Sequence, residues 1–278
     1  RDYYASRGLG DVYKRQHQML SLRIIVIIAN IAAFLLLFLF FHFFTRKMLE
    51  PVETAQKKQT QFIASASHEL RTPLAVVRSG LESVEKCSNE EERNHFLHLM
   101  SEETVHMKRL IDDMLLLANS DADTLTIKPE ACQPDLLLLD TYEKFEPLAK
   151  KNGLHLILTL PEEILPDCFC DIHRTEQIFS IIVDNALCYT PSGGKVTLSC
   201  HAENEMLCFL FEDTGCGISE EKKSHIFERF YRADDAHTDR EHFGLGLCIA
   251  KELTEKQNGN IQVVDAPISG SCFICLLY

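Results

Sequence analysis

One histidine lies within a run of polar residues that could carry out nucleophilic chemistry. The run is Ser67-His-Glu-Leu-Arg-Thr-Pro73. An imidazole in water has a pKa of about 6.5, so its unprotonated form dominates at neutral pH and can attack phosphorus. The carboxylate of Glu69 can hold the tautomer of the His68 imidazole and take its proton as a general base. Because a lone exposed histidine usually has no function, this interpretation depends on the chemistry predicted further along the chain.

The block Asp184-Asn185-Ala186 lies near the end of a predicted helix. The side-chain carbonyl of Asn185 is a suitable hard ligand for Mg²⁺, an ion that offsets the charge between phosphate groups. Tyr189 follows one helical turn later and offers an aromatic ring for stacking on a base. Taken alone, the block would be interpreted as an asparagine that caps an ordinary helix or lies on its surface.

The block Asp213-Thr-Gly-Cys-Gly217 follows an apolar predicted strand. A carboxylate at a strand end can accept a hydrogen bond from the exocyclic amine of adenine, which would select the base. Gly215 and Gly217 would let the backbone approach a nucleotide closely. This pattern is weak by itself because turns use the same residue types.

A charged segment, residues 219–242, separates this block from a second pair of glycines. Phe227 and Phe230 can dock while the polar remainder of the segment stays mobile, as an active-site lid requires. Arg229 and Arg232 are candidate phosphate contacts. The helix that follows opens with Gly244, Gly246 and Leu247. Its N-terminal N–H groups and dipole would favour anionic phosphates. No Gly-Lys-Ser/Thr sequence occurs, so this is not a Walker loop.

The four blocks, in this order, resemble the transmitter region of bacterial sensor histidine kinases, from about Lys57 to the C-terminus. The resemblance implies that His68 is phosphorylated from ATP, with Mg²⁺ ligated by Asn185 and the adenine near Tyr189. It implies further that the phosphoryl group passes to an aspartate on the receiver domain of a response regulator. Thr72 would have a second role, in orienting the water that dephosphorylates that partner.

Three alternatives stay open on the sequence alone. An ATPase of the gyrase and heat-shock type shares the asparagine and glycine blocks but lacks the histidine helix. A non-catalytic membrane scaffold would bind nucleotide only to set its shape. It is favoured by Ile181 and Cys188, which stand where many relatives have an asparagine and a phosphate-contacting lysine. A sensor that acts mainly as a regulator phosphatase would depend on Thr72.

The histidine block belongs to the first of two predicted amphipathic helices within residues 49–120. Apolar residues recur at threes and fours from residue 62 to 84 and from 96 to 117, and His68 lies off that stripe, facing solvent. Two antiparallel helices bury only part of such wide stripes, whereas a second copy would complete a four-helix bundle. We therefore expect a homodimer. The alternative is a hairpin packed on the C-terminal domain of its own chain.

Residues 121–278 are predicted to form a two-layer α/β sandwich, the ATP-binding domain. Alternating apolar residues predict strands at 154–160, 196–200, 207–211 and 271–277. Helical periodicity covers 134–151, 172–187 and 247–257. With helices and strands mixed in this way, we expect the helices to cover one face of the sheet.

Residues 24–44 are apolar apart from Asn30 and His42, and this run can cross a hydrocarbon layer of ~30 Å as one helix. With its flanks the membrane segment spans residues 17–48. Cations cluster after the run, so the residues after about 45 are expected in the cytoplasm, beneath a bacterial plasma membrane. Residues 1–16 lack periodicity and resemble translated adapter sequence. We expect them to be non-native and the natural N-terminal sensor to lie outside this chain.

The net charge of −13 argues against a nucleic-acid partner, whose phosphates would need a positive surface. The eleven cysteines are scattered, mostly within apolar runs, and are expected to act as reduced core residues on the cytosolic side. Two close pairs stand out, Cys168 with Cys170 and Cys272 with Cys275. Neither pair has a second cluster in the sequence that would complete a tetrahedral zinc site.

Overall fold

The computed structural model describes residues 2–87, 89–203, 206–232, 243–267 and 269–277. By its internal contacts the chain forms two units, residues 1–64 and residues 65–278. The first unit lies within helix α1 (Asp2–Lys86). The second contains the histidine block, helix α2 (Glu90–Asp121) and the α/β domain.

Helix α1 includes a stretch that is long and apolar enough to cross a membrane. The side chains of residues 24–44 are exposed, Phe34 at 74% and Phe41 at 71% among them. The amide of Asn30 donates to the carbonyl oxygen of Val26 at 2.8 Å, so this polar side chain is satisfied within its own helix. The stretch coincides with the segment for which the sequence predicted a transmembrane helix.

Helix α2 begins at a well-formed cap. The side chain of Asn89 accepts a hydrogen bond from the backbone N–H of Glu91 at 3.0 Å. Three glutamates occupy the first turn, where their negative charges interact favourably with the positive end of the helix dipole. The buried residues of α2 are Met100, Leu110, Leu116, Leu117 and Ser120. Ile111 and Leu115, by contrast, are 46% and 57% exposed. Contacts within one chain therefore cover only part of the apolar stripe of α2, as the sequence predicted.

The α/β domain is built on a five-stranded sheet. Its strands are β2 (His155–Thr159), β4 (Lys195–Glu203), β5 (Met206–Asp213), β6 (Asn260–Asp265) and β7 (Ser271–Leu277). Their order is β2-β4-β5-β7-β6, with β2 and β4 parallel and the other neighbours antiparallel. A separate antiparallel ribbon pairs β1 (Glu130–Cys132) with β3 (Cys168–Cys170). The helices are α3 (Pro134–Lys151), α4 (Ile172–Tyr189), the short α5 (Glu220–Lys223) and α6 (Gly246–Lys256).

The core lies between the sheet and a layer made by α3, α4 and α6. Phe179 of α4 is fully buried, and its ring centroid lies 4.8 Å from that of Phe209 and 5.1 Å from that of Phe211, both on β5. Aromatic pairs at this separation add to the stability that burial alone provides. The two-layer α/β architecture is therefore confirmed. The sequence analysis missed strands β1, β3 and β6 and helix α5.

Candidate functional site

Helix α1 presents the histidine block with His68 on its exposed side. Ala66, two residues earlier, is only 5% exposed, which places the packed face of the helix away from His68. Glu69 is half-buried and Thr72 is exposed. His68 and Thr72 are four residues apart and therefore share one helix face. The prediction that His68 faces solvent is confirmed.

Asp213 ends strand β5 and is only 5% exposed. Its Oδ1 atom accepts hydrogen bonds from the backbone N–H of Gly215 at 2.8 Å and of Ser271 at 3.2 Å. Burial raises the pKa of this carboxyl group, and the two N–H donors oppose that rise. Among the described residues nothing donates to Oδ2, so this oxygen is available to a donor on a ligand.

The loop after Asp213 lies close to the end of α4. A Cβ atom on Gly215 would stand 2.5 Å from the carbonyl oxygen of Tyr189. Gly217 has a φ of 72°, in the region that favours glycine, and Cys216 between the two glycines is exposed. At Gly215 a residue with a Cβ atom would not fit this approach of loop to helix, whereas at Gly217 the backbone conformation is what favours glycine.

Gly270 is a site residue that the sequence analysis missed. Its φ is 91°, and a Cβ atom there would overlap the carbonyl oxygen of Asp213. The next residue, Ser271, supplies one of the two N–H donors to the Asp213 carboxylate. Gly270 therefore allows β7 to start against the aspartate.

Asn185 lies on the half-buried side of α4, one turn after Ile181. A Cβ atom on Gly246 would stand 3.1 Å from Cγ2 of Ile181. Gly246 and Leu247 form the start of α6. The free N–H groups at the N-terminus of α6 are therefore next to the face of α4 that carries Asn185.

A backbone hydrogen bond joins the middle of the predicted lid to the glycine that follows the lid. The N–H of Phe230 donates to the carbonyl oxygen of Gly244 at 2.9 Å. Phe230 and Gly244 have φ values of 61° and 71°. Arg232 is exposed beside this junction. Residues 233–242, the remainder of the predicted lid, lie outside the described residues.

Arg229, just before this junction, bonds with the last residue of α2. Its Nη1 and Nη2 atoms lie 2.8 and 2.7 Å from the two carboxylate oxygens of Asp121. The pair lowers the pKa of Asp121 and raises that of Arg229, in each case mainly through the hydrogen bonds. Two further contacts join the same end of α2 to α6, Ser120 with Glu252 and Asp123 with Lys256.

The described residues thus form three groups. In the first group, Asp213 and Gly215 lie beside the backbone of Tyr189. In the second, Asn185 shares a face of α4 with Ile181, which lies beside Gly246. In the third, Phe230 is hydrogen-bonded to Gly244. No hydrogen bond, ion pair or ring contact within the described residues joins His68 to any of these groups. The histidine block and the glycine-rich groups are therefore two separate parts of the described structure.

Comparison with known families decides what these two parts are. Residues 58–123 match the His Kinase A (phospho-acceptor) domain, which contains the histidine block. Residues 170–278 match the histidine kinase-, DNA gyrase B-, and HSP90-like ATPase domain, which contains the three glycine-rich and asparagine groups. The chain belongs to the sensor histidine kinases. The gyrase and heat-shock alternative is excluded, because that type lacks the histidine helix and residues 58–123 of this chain match the phospho-acceptor domain.

Two curated relatives illustrate how much of a sensor histidine kinase is present. The chain is 34% identical over 216 residues to sensor histidine kinase WalK of Bacillus subtilis. This match covers 75% of this chain and 35% of WalK. It is 33% identical over 235 residues to sensor protein CiaH of Streptococcus pneumoniae, covering 83% of this chain and 52% of CiaH. The chain therefore spans about half the length, or less, of these relatives.

Solved structures of sensor histidine kinases share the fold. Full-length ShkA in complex with AMPPNP superimposes with a TM-score of 0.61 at 26% identity, over 78% of this chain and 45% of ShkA. Histidine kinase AdeS of Acinetobacter baumannii gives 0.59 at 23% identity, over 76% and 96%. Histidine kinase ThkA, solved in complex with the response regulator protein TrrA, gives 0.63 at 18% identity, over 78% and 60%. The long helical hairpin followed by an α/β ATPase domain is confirmed as the fold.

Proposed function

We propose that this chain phosphorylates His68 from Mg²⁺-bound ATP and then passes the phosphoryl group to an aspartate of a response regulator. The observation that carries the proposal is the exposed His68 on a phospho-acceptor helix, in one chain with an ATPase domain in which no described residue donates to Oδ2 of Asp213. An unprotonated imidazole nitrogen attacks the γ-phosphorus in line. The bond from that phosphorus to the β–γ bridging oxygen breaks, ADP leaves with the electron pair, and the imidazole proton passes to Glu69.

The pocket residues fit ATP in complementary ways. Oδ2 of Asp213 would accept from the adenine amine, and the ring of Tyr189 would stack near the base. Phosphates would lie at the N-terminus of α6, at Gly244, Gly246 and Leu247, where unpaired N–H groups favour anions. Asn185 on the adjacent face of α4 is suited to Mg²⁺, whose hard character matches an amide oxygen. The metal supplies charge neutralisation between the phosphates, and the protein supplies their positions.

The separation of His68 from the pocket implies movement between them during the reaction. Phe230 and Arg232 stand at the base of the lid, where closing would bring them to the nucleotide. Release of the contact between Arg229 and Asp121 would let the ATP-binding domain rotate relative to α2. Because the linker after α2 is short, rotation of the ATP-binding domain is the movement that would bring the nucleotide to His68.

A homodimer accounts for the unburied apolar residues of the hairpin. Exposed positions occur on both helices, including Leu81 at 54% and Leu115 at 57%. A cavity of about 580 Å³ also opens between them, lined by Thr72, Val76, Gly80, Phe96 and Met100. Helices from a second copy would cover these side chains, as in a four-helix bundle.

The apolar stretch of α1 supports a place in the plasma membrane. Its exposed side chains suit lipid, and the cations that follow it favour a cytoplasmic location for the residues after about 45. The proposed substrate and partner, ATP and a response regulator, are cytoplasmic molecules that residues 49–278 would then meet.

A second activity, dephosphorylation of the regulator, is favoured by one observation. Thr72 is exposed and lies one turn from His68 on the same face of α1. Its hydroxyl could orient a water molecule toward a phosphoaspartate docked there. Thr72→Ala should then slow dephosphorylation of the regulator without changing the labelling of His68.

The test of the proposed function uses the full chain in lipid nanodiscs, incubated with Mg²⁺ and γ-labelled ATP. Acid-labile, alkali-stable label is expected on the wild type and absent from His68→Gln. His98→Gln is the matched control, since His98 is an exposed histidine on α2 with a side chain 73% accessible. ATP binding without any label on His68 would favour the non-catalytic scaffold instead.

A further inference from the structure

Three cysteines outside the nucleotide pocket converge in the β1–β3 ribbon. Cys132 is paired directly with Cys168, and Cys170 lies two residues further along β3, so all three side chains share one face of the ribbon. The Sγ–Sγ distances are 3.1 Å from Cys132 to Cys168, 3.2 Å from Cys132 to Cys170 and 3.6 Å from Cys168 to Cys170. The sequence analysis expected no cluster here, because Cys132 is far from the other two along the chain.

This arrangement differs from that of ordinary core cysteines. Cys168 and Cys170 are 0% and 1% exposed, while Cys132 is half-buried and gives access from solvent. The three sulfur atoms lie within 4.8 Å of one another, so each has the other two as neighbours. Hydrophobic packing alone does not call for three mutually touching sulfur atoms, since alanine, valine or leucine would fill a core site as well.

The three thiols differ in their surroundings. Cys170 immediately precedes Asp171, the N-cap of α4, and the positive end of a helix dipole favours a thiolate. Hydrogen bonds from Cys168 and Thr175 lower the pKa of the Cys170 thiol, whereas burial raises the pKa of Cys132 to about 11, and the hydrogen bond with Cys170 together with burial raises that of Cys168. A cation placed among the sulfur atoms would stabilise all three as thiolates.

The geometry points to one thiophilic metal ion. A metal–sulfur bond of about 2.3 Å sets neighbouring sulfur atoms about 3.8 Å apart in a tetrahedral site and about 4.0 Å apart in a trigonal one. The observed Sγ–Sγ separations of 3.1, 3.2 and 3.6 Å would have to widen by about 0.2–0.7 Å to reach the tetrahedral value and by about 0.4–0.9 Å to reach the trigonal one, a shift that side-chain rotation can supply. Soft thiolates select d¹⁰ ions such as Zn²⁺ and Cu⁺ over the hard Mg²⁺.

We propose that Cys132, Cys168 and Cys170 together bind a single thiophilic d¹⁰ cation, Zn²⁺ or Cu⁺, through three thiolates. Zn²⁺ would take a water as fourth ligand on the open side at Cys132, and Cu⁺ would be three-coordinate. Binding releases the remaining thiol protons to solvent and involves no oxidation or reduction.

The site would hold the ribbon to the base of α4. The strands β1 and β3 have three residues each, too few for a stable ribbon on their own. Asp171, directly after β3, accepts from the N–H of Lys128 at 3.0 Å, and its own N–H donates to Gln257 at 2.7 Å. The metal would therefore cross-link segments on which the start of α4 depends. This proposal is independent of kinase activity.

The test adds Zn²⁺ or Cu⁺ alone to the full chain, reduced and freed of metal, in nanodiscs. We expect one equivalent of metal retained after gel filtration, sulfur-to-metal charge-transfer absorption, release of protons and a higher unfolding temperature. Competition with chelators of graded strength identifies which of the two ions is preferred. Cys132→Ala, at a half-buried position that tolerates truncation, should lose the bound equivalent.

Cys200→Ala is the matched control, because Cys200 is a buried cysteine of β4 that is not part of the cluster. It should retain one equivalent. Equal metal content in the wild type and Cys132→Ala would overturn the proposal. So would a disulfide between Cys132 and Cys168 that persists after treatment with a thiol reductant, since only one thiolate of the cluster would then be left.

Discussion

Both carboxylate oxygens of Asp121 are bonded to the guanidinium of Arg229, at 2.7 and 2.8 Å. Asp121 is the last residue of α2, and Arg229 lies just before the base of the lid. A bidentate pair of this kind fixes orientation as well as distance. It therefore stabilises one arrangement of the ATP-binding domain on α2, and under the proposed function this arrangement would be left before the nucleotide reaches His68.

Asp121→Asn should accelerate the labelling of His68. Removing a partly exposed pair changes the balance between arrangements by about 1 kcal/mol, which corresponds to about a fivefold rise in the initial rate. The measurement is the time course of label at saturating ATP. Glu146→Gln, which removes an exposed pair within α3, should leave the rate unchanged. A slower Asp121→Asn enzyme would mean that the contact belongs to the reactive arrangement.

Asp213→Asn should weaken ATP binding by about 10- to 100-fold, the worth of a hydrogen bond to a charged group. The amide oxygen can still accept from Gly215 and Ser271, but an N–H₂ group then replaces the acceptor Oδ2. Calorimetric titration with ATP measures the loss. Glu212→Gln changes the neighbouring carboxylate of β5 and should bind ATP normally. Unchanged affinity in Asp213→Asn would remove this residue from the adenine site.

Gly270→Ala should destabilise the α/β domain far more than Gly193→Ala. Both glycines have positive φ values, 91° and 82°, so each alanine carries a conformational strain of about 1–2 kcal/mol. A Cβ atom meets nothing within 4 Å at Gly193, whereas at Gly270 it overlaps the backbone of Asp213. We expect a further loss of about 2 kcal/mol in the free energy of unfolding at Gly270. Denaturant titration of the two variants measures the difference, and equal midpoints would refute the overlap.

Asp113 makes the stability depend on pH. Burial, with the nearby charge of Asp112, raises its pKa from 3.8 to about 6, although Arg109 opposes the rise. The folded chain then holds the proton more tightly than the unfolded chain. The contribution of this proton to the free energy of unfolding is fully present below about pH 4 and is lost as the pH rises through about 6.

Asp113→Asn should therefore raise the free energy of unfolding at pH 8, with no gain at pH 4. The shift would correspond to about 3 kcal/mol for a fully buried group, and solvent screening reduces the expected gain to about 1 kcal/mol. Denaturant titrations at both pH values measure it. Asp140→Asn, at an exposed position on α3, is the control substitution of the same kind. A gain of the same size at both pH values would contradict this account.

The sequence predicted those parts of the fold that carry a long periodic pattern. Helix α3 has the predicted bounds, Pro134–Lys151, because eighteen residues give several helical turns of evidence and a proline at the start. Strands β1 and β3 have three residues each, and alternation cannot be recognised over so short a length. Their pairing, which brings Cys132 to Cys168, is a tertiary contact without a local signal.

The same limit applies to the site. Asp213 and Gly215 could be proposed as candidates from the sequence because they belong to one short block, and the N–H of Gly215 does bond to the aspartate. Gly270 stands alone between residues with no motif, and only the approach of β7 to Asp213 gives it a role. The pairing of Arg229 with Asp121 joins residues 108 positions apart, so it could be found only in the folded chain.

Cys216, between the two glycines of the loop after Asp213, offers a point of chemical access to the nucleotide pocket. All eleven cysteines lie in the described part of the chain, and among them Cys216 alone is exposed. An adenine analogue bearing a mild electrophile would be delivered next to this thiol and could alkylate it in preference to the buried ones. Kinases of this family with another residue at that position would escape such a reagent, so the loop provides a basis for a selective covalent inhibitor.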